Sequence, residues 1–308
     1  MTRRAVAGVA RLLPVLLITG AAAVVLVAAL IAACGGRSQE QSPQPTTTVT
    51  VTATPSGTAS GAASPSATAA PGTTTLALYF LRSEKLGVAD RRVGKTTMPA
   101  TAAMRALLAG PSSAERAAGL TTAIPRGTRL LGLSIDDGLA RLDLSREFGS
   151  GGGSLSMAAR VAQVVYTLTR FRTVRAVEFL MEGAPIEALG GEGVLLDAPQ
   201  RRAQWRDLEP NIFVEAPGVG AVISSPFTLH GTARVFEGSF LARLMDSSGR
   251  RVVQVVMQAS RGAPGRGRFT REVPFSTSAS RGTLIVFDRS MEDGSRQDEV
   301  QIPVLFAD

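Results

Sequence analysis

Few side chains in this sequence have the type and spacing that chemistry requires. Histidine occurs once, at His230, beside Gly231. Any general base or Ser-His-Asp relay would have to use that imidazole, and no Gly-x-Ser-x-Gly turn is present to expose a nucleophilic serine. The setting of His230 reads as a packed or edge position on a strand. Asp136, Asp137 and Asp143 raise the idea of a paired-carboxylate site. Asp136-Asp137-Gly138 lies between two apolar runs, however, where Asp and Gly favour a turn. Asp143 falls on an alternating strand as a satisfied polar residue. Gly149 to Gly153 precede a helical pattern and raise a phosphate cradle. No Gly-Lys-Ser/Thr follows them, so the run reads as a flexible loop. Glu237, between Phe236 and Gly238, reads as a structural turn residue. One cysteine and one histidine leave zinc without its usual ligand set. The expectation is therefore no catalytic, metal-ligating or cofactor-binding residue, no cofactor, and a protein that is not an enzyme.

Cys34 points to a modification instead. It is the sole cysteine and closes the uncharged run Leu12 to Ala33, which follows Arg3, Arg4 and Arg11. That is the layout of a secretory signal. The tetrapeptide Ile31-Ala32-Ala33-Cys34 resembles a bacterial lipobox, in which the thiol takes a diacylglycerol and the cysteine becomes the mature N-terminus. Cys34 is accordingly the expected lipidation site, residues 1–34 the lipoprotein signal peptide, and a palmitate-type anchor the expected link to the membrane. The run is also long enough for an uncleaved transmembrane anchor. Either way the arginines stay inside and the rest of the chain faces outward. The expected location is the outer face of the cytoplasmic membrane, with the body exposed to the cell-wall space.

Residues 35–74 are almost entirely Ser, Thr, Pro, Ala and Gly, as in Pro45-Thr46-Thr47-Thr48. So few large apolar groups do not offset the entropy of ordering, so the segment reads as a disordered tether. The formal charge of the whole chain is +8. Without Arg3, Arg4 and Arg11, 30 basic residues face 25 acidic ones, and only Lys85 and Lys95 are lysines. Export argues against nucleic acid as a partner, and the arginines are scattered apart from the pairs Arg201-Arg202 and Arg250-Arg251. A moderately basic surface suits an anionic wall polymer. A lone cysteine gives no internal disulfide, so packing alone must hold the fold.

Residues 75–188 read as an α+β domain. Thr75 to Phe80 forms a strand, with Arg91-Arg92-Val93 a short partner. Thr97-Met98-Pro99 marks a helix start with Thr97 as N-cap. Met104, Leu107 and Leu108 lie on one face of that helix, and Gly110-Pro111 ends it. Arg129 to Ile135 and Leu139 to Leu144 flank the Asp-Gly hairpin signal. A second helix spans Ser154 to Arg170, with Leu155, Val161, Val164, Val165 and Leu168 on its apolar face. Val174 to Met181 is the last strong strand. Residues 189–210 read as an interdomain connection, with Trp205 packed at the junction.

The order of Tyr79-Phe80, Leu107-Leu108-Ala109-Gly110-Pro111, Leu120 to Thr128 with Ile124-Pro125-Arg126-Gly127-Thr128, Leu142-Asp143-Leu144-Ser145, and Tyr166 to Phe171 resembles a GerMN domain. This resemblance covers essentially the whole first domain. It implies an α+β module of a secreted or membrane-attached protein, linked to sporulation, germination or envelope signalling, with no enzymatic activity.

Residues 211–308 read as an all-β immunoglobulin-like sandwich. Seven short runs (Ile212–Glu215, Phe227–Ala233, Ser239–Met245, Val252–Gln258, Arg268–Phe275, Thr283–Phe287 and Glu299–Phe306) recur between turn residues. Ser225-Pro226, His230 to Ala233 and Asp246 to Gly249 resemble the immunoglobulin-like domain often attached to GerMN domains. The expected function is a noncatalytic envelope lipoprotein acting as a protein-interaction or assembly module, with an envelope protein as partner. The alternative is a binder of anionic cell-wall polymers or an accessory to peptidoglycan enzymes. Arginines gathered on one face of the folded body would favour that alternative.

Overall fold

The computed structural model describes residues 72–190 and 193–307. The expected signal peptide with Cys34, and the tether up to residue 71, lie outside the described residues. Strand β1 (Thr73–Arg82) starts two residues before the expected domain start at Thr75. It pairs antiparallel with β2 (Lys85–Gly94), which is much longer than the short partner expected around Arg91. The turn that joins them holds Ser83 and Glu84 at φ 48° and 64°. Neither is a glycine, so the sequence carries no hairpin signal there.

Helix α1 (Pro99–Leu108) has Met98, not Thr97, as its N-cap, without a side-chain cap, and Pro99 takes the first turn. Ala100, Ala103, Met104 and Leu107 are buried. The short α2 (Ser113–Ala117) carries a capping box: Ser112 Oγ accepts from the Glu115 N–H, and Glu115 accepts from the Ser112 N–H. Its Ser-x-x-Glu signature stands in the sequence. Strands β3 (Leu130–Asp136) and β4 (Leu139–Leu144) form the expected hairpin, with Asp137 and Gly138 at φ 43° and 85°. Helix α3 (Ser154–Leu168) buries Met157, Val161, Val164, Val165 and Leu168 in the main core. Leu155, expected on that face, is exposed in the first turn. Ala159, Ala162 and Tyr166 enter a second cluster with Tyr79, Val88 and Phe213, so α3 is covered on more than one side.

Strand β5 (Ala176–Met181) runs parallel to β4 and completes the order β3-β4-β5-β6, where β6 is Ala184–Pro185. The expected connection carries secondary structure of its own. It holds the pair β7 (Ala188–Leu189) and β8 (Val194–Leu195), and Gln200 exchanges two backbone bonds with Val177. A 3-10 turn follows at Arg202–Leu208.

The remaining strands are β9 (Ile212–Ala216), β10 (Val222–Ile223), β11 (Phe227–Ala233), β12 (Ser239–Asp246), β13 (Arg251–Gln258), β14 (Gly267–Val273), β15 (Arg281–Arg289) and β16 (Arg296–Phe306). They form a three-stranded sheet, β14-β11-β9, and a five-stranded sheet, β10-β16-β15-β12-β13. Alternation drives the sandwich. Phe240, Ala242 and Leu244 of β12 point inward, and Leu241, Arg243 and Met245 are only partly buried. All seven expected strands form; two-residue β10 is too short to register as a pattern. The buried core is continuous from Phe80, Leu142 and Phe179 of the first domain to Ile212, Leu229 and Phe240 of the second. Both domains belong to one compact unit.

Candidate functional site

The family-like segments of the first domain are scaffolding. The edge of β1 that faces away from β2 pairs with Thr121 at Leu81 and with α3 at Tyr79: the Tyr79 N–H donates to Thr167 Oγ1 (3.1 Å), and the Tyr79 carbonyl accepts from Gln163 Nε2 (3.2 Å). Gln163 Oε1 in turn accepts the Ala123 N–H at 2.9 Å. In Pro125-Arg126-Gly127-Thr128, Gly127 holds φ 87° and Thr128 Oγ1 donates to the Pro125 carbonyl. Ser145 Oγ accepts the Arg129 N–H. These residue types serve a buried polar network that must be complete to be tolerated.

The residues weighed for catalysis do not come together. Asp137 sits in the hairpin turn, and Asp143 Oδ1 accepts the Gly183 N–H at 3.0 Å. No three His, Cys, Asp or Glu side chains are grouped to hold a metal among the described residues. The loop at Gly149 to Gly153, expected to be flexible, is pinned. Buried Arg160 donates to the carbonyls of Phe148 (2.6 Å), Ser150 (3.0 Å) and Gly151 (2.8 Å). Glu237 holds φ 52° in its turn, where its carbonyl accepts from Gln258.

A different site emerges where the domains meet. Arg202, at the start of the 3-10 turn, donates to Thr169 Oγ1 (2.8 Å), the Tyr166 carbonyl (3.0 Å), the Tyr79 hydroxyl (3.2 Å) and the Glu215 carboxylate. Its guanidinium carbon lies 5.2 Å and 4.7 Å from the ring centres of Tyr79 and Tyr166. The Tyr79 hydroxyl donates to Glu215 at 2.8 Å, and the Tyr166 hydroxyl to Glu209 at 2.6 Å. Arg266 Nε meets Glu209 at 3.1 Å, and its other nitrogens reach Thr232 and the Pro210 carbonyl. Burial opposes the charges on Arg202 and Glu215, yet each holds the other ionised: the carboxylate is pulled down and the guanidinium up. Burial pushes the Tyr79 and Tyr166 hydroxyls far up, so they stay protonated donors.

Further bonds fasten the joint. The Asp90 N–H donates to the Val219 carbonyl and the Val219 N–H to the Val88 carbonyl, both at 2.9 Å. Asp90 Oδ2 accepts the Gly218 N–H at 2.8 Å, and a Cβ on Gly218 would stand 3.0 Å from the Asp90 nitrogen. Trp205 packs against both apolar clusters, at the junction as expected.

Beside the joint opens a cleft of about 520 Å³, walled by Arg202, Arg206, Arg266 and Arg268 with His230 and Thr270. His230 is half-buried on β11, and burial, followed by the Arg170 charge, pushes its imidazole below the ordinary value. Sequence reasoning singles out Arg201-Arg202 as a pair, but it misses Arg266, Glu209 and Glu215, which lie in separate strands and loops. The cation-rich cleft is visible only after folding.

Residues 77–187 match the family described as sporulation and spore germination. Residues 211–295 match the immunoglobulin-like domain of bacterial spore germination. The chain joins a GerMN domain to a spore-germination immunoglobulin-like domain. Among solved structures, the tandem GerMN domains of the sporulation protein GerM from Bacillus subtilis align over 67% of this chain, with 16% identity and a TM-score of 0.39. This chain spans 63% of that one. A putative lipoprotein from Clostridium perfringens aligns over 46% of this chain and 95% of its own, with 21% identity and a TM-score of 0.33. The first GerMN domain of GerM covers 42% of this chain and 98% of its own, with 20% identity and a TM-score of 0.36. No curated protein matches the chain. No helix among the described residues is long and apolar enough to cross a membrane.

Proposed function

We propose that this protein is a noncatalytic lipoprotein of the cell envelope that works as a protein-interaction or assembly module in a sporulation, germination or envelope-signalling setting. A lipid on Cys34 holds it at the outer face of the cytoplasmic membrane, and the segment after Cys34 carries the two-domain body outward. The observation that carries the reading is the open edge of β3. This seven-residue strand ends the order β3-β4-β5-β6; Leu131, at an irregularity in its pairing with β4, stands 44% exposed, and Ile135, on the regular stretch from Gly132 to Asp136, 37%. A long apolar edge offers unpaired N–H and C=O groups and side-chain pockets to an added strand. The locked joint supports the same reading, because a rigid body presents that edge in a fixed direction relative to the second domain.

The test places a photo-crosslinking side chain at 131, 133 or 135 in cells producing the full chain, with position 291, an exposed turn residue of the other domain, as control. Defined adducts at the β3 positions and none at the control are expected. Adducts that do not depend on position, or none at all, overturn strand addition at this edge.

A further inference from the structure

The cleft beside the joint has a charge imbalance that the protein does not resolve internally. Its two carboxylates are already paired with the joint: Glu215 takes Arg202 and the Tyr79 hydroxyl on Oε1, and Glu209 takes Arg266, the Tyr166 hydroxyl and Thr232. Arg206 and Arg268 line the same cleft and are exposed. Neither guanidinium has an acceptor among the described residues. Arg170 adds its positive field at His230 and Glu215, and Arg234 adds its own at Arg266. Thr270 supplies a hydroxyl on the same wall. Arg202, Arg206, Arg266 and Arg268, from two separate stretches of sequence, thus gather around one concave surface.

We propose that this cleft binds phosphate groups of a linear polyanion with phosphodiester repeats. Guanidinium forks lining one concave surface suit phosphate oxygens. One carboxylate would leave part of the positive charge of Arg206 and Arg268 unneutralised, whereas successive phosphates along a chain neutralise both. The volume is large for a single ion and suits a short stretch of polymer. The joint fixes the spacing of the two walls, since Arg202 and Arg206 come from the connection and Arg266 and Arg268 from the second domain. Occupancy here leaves the β3 edge free, so polymer binding and strand addition are separable.

The experiment uses the full chain in an uncharged detergent and a synthetic glycerol-phosphate oligomer as probe, followed by calorimetry across a salt series. Binding that weakens steeply with salt is expected. The double variant Arg206→Gln/Arg268→Gln should lose at least tenfold in affinity. The control Arg126→Gln/Arg172→Gln, which removes the same charge from exposed sites in the first domain, should change it less than twofold. Inorganic phosphate should bind far more weakly than the oligomer. Equal losses in both double variants would reduce the effect to net charge and overturn the site. Binding to phosphatidylglycerol vesicles but not to the oligomer would overturn the polymer assignment, and no binding to either probe would overturn the proposal outright.

Discussion

Arg202 shows how one side chain holds two domains. Its guanidinium spends its donors on α3, β1 and β9 at once and stacks on two tyrosine rings. Removing it leaves Glu215 partly buried without its counter-charge. Arg202→Ala should therefore lower stability by about 1.5–3 kcal/mol, the range for hydrogen bonds to charged groups, read as a lower midpoint in urea. Arg202→Lys should recover little of this, because an ammonium lacks the planar fork. A second residue-scale effect belongs to Asp246, whose carboxylate accepts from the Ser248 hydroxyl and from the Ser248 and Arg250 N–H groups and meets the Arg250 side chain. The Ser248 hydroxyl leads in pulling this group from 3.8 down to about 2. A group lowered in the folded state stabilises above its unfolded value, and the contribution disappears as pH falls through the folded one. Stability should thus fall as pH drops from about 4 through about 2, and Asp246→Asn should flatten that part of an acid-unfolding curve.

At the scale of elements, strand pairing depends on residues that leave room. Gly231 sits at the irregularity where β11 changes register against β9. A Cβ there would stand 2.0 Å from the Phe213 carbonyl oxygen and 2.9 Å from the Phe269 ring. Neither neighbour can retreat, because Phe213 belongs to the junction cluster and Phe269 to the main core. Gly231→Ala should cost about 3 kcal/mol, the top of the usual overpacking range, visible as a lost or much weakened unfolding transition. Element existence was legible in the chain: the seven strands of the second domain, the Asp-Gly hairpin and α3 all follow from periodicity and turn chemistry. Element ends were less so. Ser83-Glu84 turns β1 into β2 without a glycine because the pairing of the two strands runs up to Arg82 and Lys85, and α1 starts at Pro99 without a side-chain cap because its buried face holds it.

For the whole molecule, the continuous core and the polar joint make the two domains one cooperative body. Trp205 is the only tryptophan and lies at the junction. In urea, its fluorescence and the far-ultraviolet circular dichroism of both domains should report one coincident transition. In Arg202→Ala the fluorescence change should come first, as the joint opens before the sheets melt. Separate transitions in the unaltered protein would mean that the domains are only tethered.

By itself the sequence determined the two domain types and most of the strands and helices that build them. Those properties are written in local periodicity, turn residues and composition, which act over a few positions. Tertiary structure alone decided that Gln163 and Thr167 complete the edge of β1, that Arg160 pins a glycine loop, and that Arg202, Glu209, Glu215 and Arg266 meet at one joint. The physical reason is distance along the chain. Tyr79 and Glu215 are separated by 136 positions yet share a hydrogen bond, and no local pattern encodes a partner that far away. The gathering of Arg206 and Arg268 about one cleft belongs to the same class, since charge adds up in space and not in sequence.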